Sequence, residues 1–166
     1  MKQRRYSLLI AAGVVFLAVG IAVMVWMLYA VRTANRFAAL VETNFYAASM
    51  VNANGIHTDE DKAVIAEYAG NRAVVHPKNY AALELLLTQE MAAALFGEMK
   101  KENALCISFC GMSDMYVAPD ERRDGIFVEW TVQDRRYYVR IKGNDIWERV
   151  RLFAMEGVGG NRNIPL

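Results

Sequence analysis

The chain is poor in residues that staple or punctuate a fold. Its 166 residues include two cysteines and three prolines. Two cysteines exclude a disulfide-dense scaffold. So little proline, with 11 glycines, excludes a collagen-like or low-complexity chain. Net charge is also scarce, at +1. A chain that is 55% hydrophobic and nearly neutral is the reverse of a disordered one. The most informative absence is local: no charged residue occurs from Tyr6 to Val31.

That uncharged run reads YSLLIAAGVVFLAVGIAVMVWMLYAV. A bilayer core about 30 Å thick needs about 20 apolar residues of helix, and this run exceeds that length. A helix is also the one single-segment way to satisfy every backbone polar group in lipid. Tyr6, Trp26 and Tyr29 lie near the two ends, where amphipathic rings favour the interface. The apolar core of a cleaved signal peptide is shorter, about 7–15 residues, and Arg32 interrupts the small-residue candidate around Ala30 to Ala34. The run therefore reads as an uncleaved signal-anchor. Lys2, Arg4 and Arg5 before it, against Arg32 and Arg36 after it, predict a cytoplasmic N-terminus. This puts the protein in the cell membrane as a single-pass chain with its C-terminal domain extracytoplasmic.

The predicted partners follow from this. The first is the lipid bilayer. Gly13 with Gly20, and Ala18 with Ala22, put small residues on shared helix faces, which suits self-association or a protein partner in the membrane. All 18 acidic residues lie beyond Val31, with 16 of the 19 Lys and Arg, leaving −2 outside the span. Without a basic stripe, no nucleic-acid partner is expected.

Beyond the span, Phe37, Leu40, Val41, Phe45 and Ala48 recur at helical spacing. No Gly or Pro separates them from the span, so one continuous rod is predicted, ending at the Asn54–Gly55 turn signal. Thr58 and Asp61 resemble a capping box opening a short helix to Tyr68, with Gly70 as its stop. Residues 72–76 read as extended. Asn79 is expected to cap a helix reaching about Lys100. ALCISFC (104–110), MYVA (115–118), IFVEWTV (126–132) and YYVRIK (137–142) read as strands, with QDRR as a turn of about four residues between the last two. Asn144 is expected to cap a final helix carrying Ile146, Trp147, Val150, Phe153 and Ala154.

The predicted class is thus α+β: an N-terminal transmembrane helix continuing into an amphipathic helix, then a helix-covered antiparallel sheet of about four strands and a C-terminal helix. The corresponding division is a cytoplasmic tail (1–5), an anchor (6–31), a juxtamembrane helix and turn (32–55), an extracytoplasmic α+β domain (56–158) and a tail (159–166). The layout resembles that of pilin-like subunits. The resemblance stops there, because the processing signature of a Gly before the apolar run and a Glu just inside it is missing.

Candidate chemistry is sparse. Cys106 and Cys110, four apart on one strand, lie about 13 Å from each other, beyond disulfide reach of about 7 Å. They read as buried and unpaired, with a disulfide as the second reading. His57, His76 and the two cysteines do not have the turn that a compact zinc knuckle needs. Thr58–Asp59–Glu60–Asp61 is explained by helix capping and the helix dipole. No nucleotide, metalloprotease or nucleophile-elbow motif is present. No catalytic residue, cofactor or metal is therefore expected. On the sheet face opposite Trp130 and Tyr137, residues Phe127, Glu129, Thr131, Tyr138 and Arg140 form the candidate partner face. The function expected is an anchored interaction or assembly domain displayed outside the cytoplasm. The alternative is a ligand-sensing domain, which with MKQRR as its cytoplasmic part would act through a membrane partner.

Overall fold

The computed structural model describes residues 2–53, 62–93, 99 and 101–156. It opens with one helix, α1 (Lys2–Val51), 50 residues long. At 1.5 Å per residue the rod measures about 75 Å. It contains no proline, so nothing removes a rung of its hydrogen-bond ladder. Its halves have opposite surroundings. Every side chain from Gly13 to Tyr29 is exposed. In the second half Phe37, Val41, Phe45 and Ala48 are buried. Their spacing places them on one stripe of the helix.

The stripe packs on a sheet of seven antiparallel strands: β1 (Val64–Tyr68), β2 (Asn71–Val74), β3 (Met91–Ala93), β4 (Leu105–Phe109), β5 (Ser113–Pro119), β6 (Gly125–Val132) and β7 (Arg135–Lys142). Their order is β2-β1-β4-β5-β6-β7-β3. Two further helices, α2 (Tyr80–Thr88) and α3 (Ile146–Met155), complete the cover. Strand alternation sends Leu105, Ile107, Phe109, Met115, Val117, Ile126, Val128, Trp130, Val139 and Ile141 to the helix side, where all are buried. Leu83, Leu86 and Leu87 of α2 and Ile146, Val150 and Ala154 of α3 meet them in one core. Such burial contributes about 1.5–3 kcal/mol for each large side chain.

Aromatic contacts fix the path of α1 over the sheet. Phe37 lies 6.1 Å from Trp130 of β6 and 6.5 Å from Tyr137 of β7. Phe45 lies 5.0 Å from Phe109 of β4 and 5.6 Å from Tyr80. Eight residues of helix cover about 12 Å. The two strand steps from β6 to β4 cover about 9.6 Å. The helix therefore crosses the strands more than it follows them. Asn52 ties down its far end, donating from Nδ2 to Ala48 O at 2.8 Å and to Lys62 O at 3.1 Å.

Several expectations are corrected. The sheet has seven strands, not about four, because two segments read as helix (β1 and β3) and the extended run at β2 all pair into it. The stretch read as helix up to Tyr68 holds strand β1; the capping box at 58–61 lies outside the described residues. Gly70 does not stop a helix. Ala69 and Gly70 both have positive φ (50° and 73°) and make a two-residue hairpin turn to β2. The helix after Asn79 ends at Thr88, since Met91–Ala93 is claimed by β7 as an edge strand. The β6–β7 turn is Gln133–Asp134, two residues at φ 49° and 61°, rather than four. Asn79 makes no side-chain cap on its own helix. Its Nδ2 instead donates to Phe153 O at 3.0 Å and to Glu156 Oε2 at 3.4 Å, serving the carbonyl end of α3. Asp145, not Asn144, precedes α3, again without a side-chain cap. Gly125 is required by contact: a Cβ there would lie 2.5 Å from the Ile141 carbonyl oxygen.

Candidate interaction face

The three helices leave the other side of the sheet uncovered by any described helix, as an antiparallel sheet allows. Register assembles this outer face. Glu67, Cys106, Tyr116, Glu129 and Tyr138 form one row across β1, β4, β5, β6 and β7. Ala118, Phe127, Arg140 and Ala92 form the next. Thr131 stands opposite Arg136. Phe127, Glu129, Thr131, Tyr138 and Arg140 thus sit together on β6 and β7.

Glu129 differs from its expected place in an open partner face. It is 6% exposed. A buried carboxylate needs charge partners, and two are supplied. Arg136 Nη2 lies 2.7 Å from Oε2, and Lys101 Nζ lies 3.5 Å from Oε1. Lys101 also sits 4.1 Å over the Tyr116 ring, a cation–π contact. Lys101 comes from a short 3₁₀ turn (Lys101–Asn103) ahead of β4. Phe127 and Tyr138 stack with ring centroids 5.6 Å apart and planes 7° from parallel. Burial raises the Tyr138 phenol pKa, and the negative charge of Glu129 raises it further. Arg140 Nε binds Asp120 Oδ2 at 2.5 Å. Desolvation pushes the Asp120 carboxyl up, but hydrogen bonds from Arg140 and the Arg122 backbone N–H outweigh it, and the net shift is downward. Asp120 is therefore held as a carboxylate.

The cysteines part company. Cys106 is half-buried on the outer face, 3.9 Å from Ser108 Oγ. Burial raises its thiol pKa, and the charge of Asp114 adds to the rise. A thiol held protonated is a poor nucleophile. Cys110 has left the strand: at φ 49° in the β4–β5 turn, it packs against the core on the helix side. Nearby in the same core, burial pushes the Tyr80 phenol pKa up to about 12. No disulfide joins the two, and each is half-buried rather than fully buried.

Ser108 Oγ donates to Asp114 Oδ1 at 2.5 Å. The other weighed ligand, His76, accepts from the Lys78 backbone N–H through Nδ1 at 3.1 Å; His57 lies outside the described residues. Among the described residues no group of three or more His, Cys, Asp or Glu is placed to hold a metal ion. What the face offers is paired charge and stacked rings, the materials of recognition. Sequence reasoning missed Lys101, Tyr116, Asp120 and Arg136 as parts of it. Alternation in MYVA signals Tyr116 as outward. Its place beside Glu129 depends on the β5–β6 register, which the residues alone do not disclose.

No protein-family model matches the chain, nor does any curated protein or solved structure.

Proposed function

We propose that the chain is a single-pass membrane-anchored protein that displays a small α+β interaction or assembly domain outside the cytoplasm. One observation carries the reading. From Gly13 to Tyr29 the apolar part of α1 has no described protein around it, while the later half of the same helix is built into the core. Among residues 14–31, large apolar side chains from Trp26 (40% exposed) to Phe16 (81%) stand open. A helix apolar on all sides belongs in a large core or in lipid. The 18-residue apolar window of this helix is 0% buried within the protein. The orientation rests on the cations flanking the run. The interaction role rests on the outer face, where paired charge and stacked rings are assembled.

The test is an alkaline carbonate wash of membranes holding the full-length chain, followed by intact-mass measurement. The reading expects the chain in the pellet with its apolar run still attached. Release into the supernatant, or a mature chain beginning beyond Ala34, overturns it. Native mass measurement in detergent then addresses the role. A stoichiometric protein complex or self-assembly is expected, and a bound small molecule in its place would move the reading to a ligand sensor.

A further inference from the structure

The two halves of α1 meet almost without a gap. Val31 is exposed and Ala34 is already buried. Three residues of helix span about 4.5 Å. A headgroup layer is about 5–7 Å deep, from the difference between whole-bilayer and core thickness. No stalk separates the domain from the span, and the rod that joins them is unbroken. In the anchored reading, the flank where α1 leaves the domain lies at headgroup depth.

The path of α1 identifies that flank. From Phe45 under β4 back to Phe37 under β6 and β7, the helix moves toward the β7–β3 edge. It also packs against β3 itself. Continued toward its N-terminus, it clears the sheet beside that edge.

The charge on this side is distinctive. Strand β7 reads RRYYVRIK, with four cations and no acid. Arg32 and Arg36 join them where the helix emerges. Arg136 and Arg140 are committed to Glu129 and Asp120. Arg32, Arg36, Arg135 and Lys142 are exposed and make no ion pair among the described residues. Glu90, Asp124, Asp134 and Asp145 are exposed acids on the same side, and Asp124 and Asp145 flank Lys142, since Gly125 pairs with it and β7 ends there. The cationic excess is local to the helix exit, where Phe37 meets Tyr137: Arg32, Arg36, Arg135 and Arg136 stand there against Glu129 and Asp134, in an extramembrane part that totals −2.

We infer that the β7–β3 flank, with the α1 exit, is a docking face for anionic phospholipid headgroups. The inference rests on the anchored reading. The tether holds the cations near the surface, so the contact forms as an intramolecular event. Its range is the Debye length, about 8–10 Å at ordinary ionic strength, which the missing stalk does not exceed. The domain is pinned to the bilayer along one edge, with β2, at the opposite edge, farthest from it.

The experiment uses the full-length chain in two vesicle preparations, phosphatidylcholine alone and phosphatidylcholine with phosphatidylglycerol. Flotation reports the anchor, and amide hydrogen exchange reports the docking. The anchor expects flotation in both. Docking expects the amides of the Gln133–Asp134 turn and of β3 to exchange about tenfold more slowly with phosphatidylglycerol present. The effect should vanish at about 1 M salt, where the Debye length falls to about 3 Å. It should also vanish in a variant carrying R32Q, R36Q, R135Q and K142Q. That variant should still float, and unchanged exchange in β4 would show its fold intact. Equal exchange in the two lipids, with the chain floating, overturns the docking face and spares the anchor. Failure to float in either lipid overturns the anchor.

Discussion

The first and second halves of α1 are both rich in alanine, valine and aromatic residues, yet they have nothing else in common. In the first, from Gly13 to Tyr29, apolar side chains surround the helix on every side and all of them are exposed. In the second, polar residues return and the apolar ones contract to the stripe Phe37–Val41–Phe45–Ala48, all of it buried against the sheet. The difference teaches that apolar content does not locate a core. Its angular distribution does: a stripe can face a sheet and leave polar groups in water, while a full circumference has no side to spare for water. The change occurs at Arg32, the first charge after the run.

The comparison breaks most visibly at the phenylalanines. Phe45→Ala should cost about 3–5 kcal/mol of domain stability, because it opens a cavity between Phe109 and Tyr80. Phe16→Ala, a larger loss of exposed area, should leave the melting of the detergent-solubilised chain unchanged. Equal effects would mean the halves are not separate environments. Leu17→Arg comes next. A cation in the middle of a span costs about 2.5–3.5 kcal/mol of insertion. The fraction retained after a carbonate wash should fall while the unfolding midpoint of the domain holds. Full retention would contradict a spanning role for that half. The smallest effect sharpens the account of the second half. Thr43 is exposed and hydrogen-bonded only to its own helix, through Oγ1 to Ala39 O at 2.7 Å. Thr43→Ala should stabilise by about 0.5 kcal/mol through helix propensity. Destabilisation on chemical unfolding would place that face against something unseen.

The residues differ in how far they disclosed their fates. The helix stripe, the β6 and β7 alternation and the apolar face of α3 were legible because each is a local period. Tyr68, Gly70 and Met91 were not. VIAEY carries apolar residues at spacings that fit a helix as well as a strand, and β4 decides between them by pairing with it. Ala92 reads as part of a helix face until β7 offers its Arg140 position as a partner. Asn79 looked like a cap for the helix that follows, and it is one for α3, 74 residues away along the chain. The outer-face residues Phe127, Glu129, Thr131, Tyr138 and Arg140 could be placed on one side of their strands by alternation. The burial of Glu129 could not be read, because Arg136 and Lys101 reach it from β7 and from a turn before β4.

From its order of residues alone the chain settled where charge is excluded, that one rod joins an apolar segment to an amphipathic one, and which side of β6 and β7 is apolar. Each depends on neighbours a few positions apart, linked by fixed helix or strand geometry. The number of strands, their order, the turns that replaced expected helix ends and the partners of buried polar groups were decided in three dimensions. Those choices set one long-range pairing against another, and their free energies exist only once distant segments meet.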